Sequence, residues 1–163
     1  MAVERTYKEV EEIVNSRGYI LLDNYFPEKP KKCHRKVIIQ DDYGYKYDVY
    51  FDEVIKNKKF WIVSSDSNPF SLENISRWLI LNDSHHSLCE GNIYTGKEDR
   101  NLKFYCPVCE DRFFSCWNDI RNGQGCAVCK GTQTGENHSL AHLRSDLLSE
   151  WSNENKISPY DVT

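Results

Sequence analysis

Four cysteines stand in two pairs, Cys106-Pro-Val-Cys109 and Cys126-Ala-Val-Cys129, with sixteen residues between them. No other feature of the chain limits its fold as strongly. Two cysteines separated by two residues can wrap a tight knuckle that turns both sulfurs toward one point. Two knuckles complete a tetrahedron around an ion, with metal–sulfur bonds of about 2.3 Å. The spacing C-x2-C-x16-C-x2-C lies within the window of a four-cysteine zinc site. The intervening DRFFSCWNDIRNGQG supplies a strand, a turn and the Gly123 and Gly125 that a second knuckle needs. Sulfur fills all four positions and leaves none open to water. The expected site is therefore structural, one Zn2+ held by Cys106, Cys109, Cys126 and Cys129. An iron or iron–sulfur centre takes the same ligands, whereas a redox dithiol usually needs only one such pair.

The chain has seven cysteines in all, an odd number that excludes complete disulfide pairing. The start, MAVERTYKEVEEIV, lacks the apolar stretch of a signal peptide, and no apolar run approaches the ~18–20 residues of a membrane span. The expectation is a soluble cytoplasmic protein whose thiols are metal ligands or free. Cys116, on the strand-like FFSCW, reads as a small buried residue, and Cys33 and Cys89 read as plain thiols. His85, His86 and Cys89 crowd into five residues and lack a distant fourth ligand, so they read as a polar loop. His138 and His142 have metal-compatible spacing but no glutamate in the H-E-x-x-H arrangement, and read as a solvated or packed pair. Asp48, Asp52, Glu53 and Lys56 form a loose acidic-plus-lysine set of a kind common on amphipathic surfaces. No phosphate-binding glycine loop or nucleophile elbow is present, and the chain reads as a non-enzyme without a small-molecule substrate.

The rest of the chain alternates helices with β-rich blocks. Tyr7, Val10, Ile13 and Val14 form one apolar stripe over 4–17, followed by Gly18 at the expected helix end. GYILLDNY is strand-like, and VIIQDDYGYKYDVYF, with a turn at Asp42 to Gly44, predicts a hairpin. A second helix starts at Ser71 as N-cap and carries Leu72, Ile75, Trp78 and Leu79 on one face. A third starts at Ser139 and places Leu140, Leu143, Leu147 and Trp151 at helical spacing. Shifting the first β block by 65 places lays Val37 on Leu102, Ile39 on Phe104, Val49 on Phe114 and Ile55 on Ile120. At that shift Asp41 and Gly44 stand in place of Cys106 and Cys109, and Trp61 and Ser64 in place of Cys126 and Cys129. The pattern reads as one module in two copies, the first without metal ligands. The expected architecture is α+β: residues 1–83 hold a helix, a degenerate ribbon-like module and a linking helix, and residues 84–163 hold a zinc ribbon with its C-terminal helix.

The second half resembles the probable zinc-ribbon domain of phage, prophage and bacterial mobile-element proteins. The likeness is carried by Cys106 to Cys109, Phe113 to Trp117, Gly123 to Cys129, Lys130-Gly131, Ser139-Leu140-Ala141, Glu150-Trp151 and Asn155 to Val162, covering about residues 100–163. The resemblance implies a member of a ribbon array that binds nucleic acid. It implies no activity for this chain.

Charge narrows the choice of partner without deciding it. The net charge is −4, so a globally basic nucleic-acid surface is absent. Residues 1–60 nevertheless carry 12 Lys/Arg against 11 Asp/Glu, while residues 61–163 carry 9 against 14. The basic residues bunch at Lys31, Lys32, Arg35 and Lys36 and again at Lys56, Lys58, Lys59 and the adjoining Trp61. If these clusters converge, cations meet phosphates and the ring meets a base, with DNA expected before RNA. The other expectation is an acidic module that docks on a host protein.

Overall fold

The computed structural model describes residues 5–23, 36–60, 67–82, 84–143, 151 and 158. Two compact units divide the chain, Met1–Trp78 and Leu79–Thr163. Each contains a three-stranded antiparallel sheet and short helices, an α+β construction. No helix among the described residues is long and apolar enough to cross a membrane.

In the first unit, helix α1 (Tyr7–Ser16) begins at a capping box. The Thr6 hydroxyl accepts from the Glu9 N–H, and the Glu9 carboxylate accepts from the Thr6 N–H at 2.6 Å. Gly18, at φ +79°, turns the chain out of the helix in the left-handed conformation. The stripe expected on α1 faces the core: Val10 and Val14 are buried and Tyr7 and Ile13 pack against them. Strands β1 (Ile20–Leu21), β2 (Lys36–Gln40) and β3 (Lys46–Tyr50) pair in that order. Val37 and Ile39 on β2 and Tyr47 on β3 complete the core with Phe51 and Val54 of α2 (Phe51–Ile55). The free edge of β3 is closed by α3 (Ser71–Leu81). There the Asn74 amide accepts from Lys46 N–H and donates to Lys46 C=O, both at 2.8 Å. Ser71 is not the cap expected of it. It is the first helical residue, and its hydroxyl donates back to Asn68 C=O while the Asn68 side chain accepts from Phe70 N–H.

The second unit repeats the hairpin and helix. Strands β4 (Ser87–Leu88), β5 (Leu102–Cys106) and β6 (Asp111–Ser115) pair in order, and α4 (Trp117–Arg121) follows β6 as α2 follows β3. The Asn92 amide grips the Lys103 backbone in both directions, the device Asn74 uses on Lys46. Helix α5 (Leu140–Leu143) is capped by the Ser139 hydroxyl, which accepts from His142 N–H. Leu143 is exposed rather than on a buried stripe; Leu147 lies outside the described residues.

The offset of 65 holds only for the first strand, where Val37 and Ile39 match the equally buried Leu102 and Phe104. After the turn it becomes 66. Buried Tyr47 then matches Phe113, Phe51 matches Trp117 and Val54 matches Ile120. Val49 therefore does not correspond to the exposed Phe114, nor Ile55 to Ile120. The cause lies in the turns. Asp41 to Tyr45 closes with three intervening residues, Cys106 to Asp111 with four. Gly44 at φ +87° accordingly matches Glu110 at φ +55°, not Cys109.

Asp41 does match Cys106, and its carboxylate organises the turn at the position where the second unit has a cysteine. Its carboxylate accepts from Tyr43 N–H at 3.0 Å, Tyr45 N–H at 2.9 Å and the Tyr47 hydroxyl at 2.9 Å. Burial and then this bond hold the Tyr47 phenol well above the usual tyrosine range. An internal anion thus gathers the donors that a thiolate gathers in a knuckle. Asp41→Ala should lower the stability of the first unit by about 2 kcal/mol, because the partly buried Tyr45 N–H and Tyr47 hydroxyl lose their acceptor. Thermal unfolding should register the loss while bound metal per chain stays unchanged.

Candidate metal centre

The two knuckles arise at the ends of different elements. Cys106 closes β5, Cys109 lies in the turn to β6, and Cys126 and Cys129 form a loop beyond α4. The backbone turns sharply after each pair, at Glu110 with φ +55° and at Gly131 with φ +68°. In the second knuckle the Cys126 sulfur accepts from Cys129 N–H at 3.4 Å. The four sulfurs lie within 4.8 Å of one another, with Cys106–Cys129 at 3.8 Å and Cys109–Cys126 at 3.7 Å. A tetrahedron with bonds of about 2.3 Å has edges of about 3.8 Å. The donor set and its dimensions therefore fit one four-coordinate metal ion.

Burial grades across the cluster. Cys106 and Cys126 are buried, Cys109 is half-buried and Cys129 is exposed. The phenyl rings of Phe104 and Phe113, both fully buried, stack with centroids 5.7 Å apart. The thiols affect one another's ionisation unequally, raising Cys129 but favouring the thiolate at Cys106. The Cys109 thiol, followed by burial, pushes Cys129 up to about 12. Burial also raises Cys126. At Cys106 burial opposes ionisation, but backbone N–H groups of Cys109 and Val108 outweigh it and lower the pKa. A divalent ion held here would take all four sulfurs as thiolates.

Asp111, which motif spacing does not reveal, opens β6 two residues after Cys109 and ties it to the loop at 136–138. It is only 1% exposed. Its carboxylate accepts from Arg112 N–H at 2.7 Å, Glu136 N–H at 3.0 Å and Asn137 N–H at 2.8 Å, and meets His138 Nδ1 at 3.0 Å. Burial alone would raise its pKa; the His138 bond and then the three N–H donors more than offset this and hold it below the usual carboxylate range. A side chain at Gly135 would overlap this carboxylate, so only glycine fits there. The signal for it in the sequence is Gly135-Glu136-Asn137, a short loop whose successive N–H groups need an anion.

Among the described residues, the other cysteines and histidines do not join the centre; Cys33 lies outside the described residues. Cys116 is buried, as expected, and caps α4 by accepting from Asp119 N–H at 3.4 Å. His86 packs edge-on against Phe113, while His85 is exposed. His138 is committed to Asp111 rather than paired with His142. Among the described residues, the four-cysteine set is the only group of three or more potential ligands.

Of the basic clusters, Lys31, Lys32, Arg35 and Trp61 lie outside the described residues. Lys36 opens β2 opposite Tyr50, which immediately precedes α2, and Lys56 follows that five-residue helix. The described members of the two clusters thus flank one short element, about 8 Å long at 1.5 Å per residue. Lys36 pairs with Asp48 at 2.8 Å and Lys58 with Glu53 at 2.5 Å, while Lys56 and Lys59 are exposed. Asp48 and Glu53 are thereby engaged by lysines and form no acidic cluster with Asp52. No family model, curated protein or solved structure matches the chain.

Proposed function

We propose that the chain is a non-enzymatic zinc protein of the phage or mobile-element ribbon type, which binds nucleic acid through its basic and aromatic residues. The observation that carries the zinc reading is the closed set of four sulfurs. Tetrahedral, all-thiolate coordination suits zinc and leaves no place for a reacting water. The nucleic-acid reading is supported by the lysines on either side of α2. Their ion pairs are exposed, and exposed pairs contribute only about 0–1 kcal/mol, so phosphate can displace the carboxylates. Lys31, Lys32, Arg35, Lys36, Lys56, Lys58, Lys59 and Trp61 would then act on one strand.

Replacing Lys32, Arg35, Lys58 and Lys59 with alanine should weaken binding to all sequences alike. It should also flatten the dependence of log affinity on log salt by about 0.7–0.9 for each phosphate no longer engaged. Unfolding temperature should hardly change. Fluorescence anisotropy across a salt series reads both effects. Absence of binding to DNA and RNA at low salt would overturn the nucleic-acid reading and leave docking on a host protein in its place.

A further inference from the structure

The outward face of the β5–β6 hairpin is built unlike an ordinary solvent face. Alternation places Lys103 and Tyr105 of β5 and Arg112 and Phe114 of β6 on it, with Tyr105 opposite Arg112 and Lys103 opposite Phe114. Tyr105 is 37% exposed and Phe114 is 49% exposed. Each aromatic ring therefore faces a cation across the ladder, and the two rings lie on its diagonal. Lys103 Nζ sits 5.7 Å from the centroid of Phe114, on the face of the ring. The Glu136 carboxylate is shared by both cations, 2.8 Å from Lys103 and 3.1 Å from Arg112. An anion already bridges the two positive groups beside exposed rings, which is the arrangement a nucleotide phosphate requires.

We infer that this face binds single-stranded nucleic acid, with Tyr105 and Phe114 stacking successive bases and Lys103 and Arg112 exchanging Glu136 for the phosphate. Diagonal neighbours on a ladder are about 7–8 Å apart, twice the ~3.4 Å rise of stacked bases. Two bases resting on the two rings are consequently unstacked from each other. A duplex cannot offer that geometry, whereas a single strand or an open loop can. Each ring face accepts any base, so recognition is by strandedness rather than sequence. Glu136 makes the face self-shielding, since a strand must displace it. The inference rests on the nucleic-acid reading above but assigns it a second surface, in the other unit of the chain.

The test measures anisotropy of labelled oligo-thymidylate, oligo-uridylate and a mixed-sequence duplex with the zinc-loaded full chain at low salt. Single strands should bind better than duplex. Tyr105→Ala and Phe114→Ala should each weaken strand binding by roughly tenfold, while Tyr105→Phe, which keeps the ring, should bind as the parent does. Glu136→Gln should tighten binding severalfold, a gain that a misfolded variant would not produce. The inference is overturned if the alanine variants bind like the parent while the Lys32, Arg35, Lys58 and Lys59 replacement abolishes binding; the broader reading then survives. It is also overturned if duplex binds as well as single strand. Absence of binding to every probe overturns both.

Discussion

Removing zinc should unfold residues 102–129 and leave the first unit standing. Among its described residues the second unit buries the large apolar side chains of Leu79, Leu102, Phe104, Phe113, Trp117 and Ile120, and with them Cys106, Cys116 and Cys126. Two of those buried cysteines, Cys106 and Cys126, belong to the four-cysteine cluster. A domain of this size rarely stabilises itself by apolar burial alone. Zinc binding to comparable sites contributes about 10–16 kcal/mol at neutral pH, more than the whole stability of a typical small domain. The first unit has Val10, Val14, Leu21, Val37, Ile39, Tyr47, Phe51 and Val54 around one core and Asp41 in the turn where the second unit has a knuckle. Amide hydrogen exchange on chelator-treated protein should therefore lose protection in β5, β6 and α4 while α1, β2 and β3 retain it. Cys126→Ser should have the same effect without chelator, because Cys126 is both a ligand and a buried core residue. Retained protection in β5 and β6 after zinc removal would show that the unit folds on its own.

Asp111→Asn should lower the stability of the second unit by about 3 kcal/mol. The substitution keeps the size of the side chain, yet every neighbour of this carboxylate is a donor or can be one: the three N–H groups and the His138 ring. An amide turns one acceptor into a donor and leaves at least one of them unsatisfied in a site without water access. The native carboxyl is held below its ordinary range, so it binds fewer protons folded than unfolded. Its contribution is thus complete above about pH 4 and fades as the pH falls further, toward the depressed native value. The stability difference between parent and Asp111→Asn should narrow in that acid range. Equal denaturation midpoints at neutral pH would contradict the role assigned to Asp111.

Local chemistry makes some elements readable from sequence and hides others. Knuckle spacing is set by bond geometry, so Cys106, Cys109, Cys126 and Cys129 stand out without any structure, as do the hairpin around Gly44 and the α1 stripe. The repeat is visible through its buried positions, but not its one-residue slip, because a knuckle needs one more residue than a turn closed by Asp41. Asp111 escapes motif spacing because three of its four partners come from a loop 25 to 27 residues away. Ser71 reads wrongly as a cap because Asn68, three residues earlier, provides the side-chain acceptor at the start of α3. The cation–ring ladder of β5–β6 is invisible because register pairs Lys103 with Phe114 and Tyr105 with Arg112 only once the turn length is known.

Metal analysis of protein prepared without chelator reads whether the four thiolates hold one structural zinc. Plasma emission against protein concentration should give one zinc per chain and no stoichiometric iron, falling to none in Cys126→Ser. A chain that carries no metal, yet shows the same protection in β5 and β6, would contradict it.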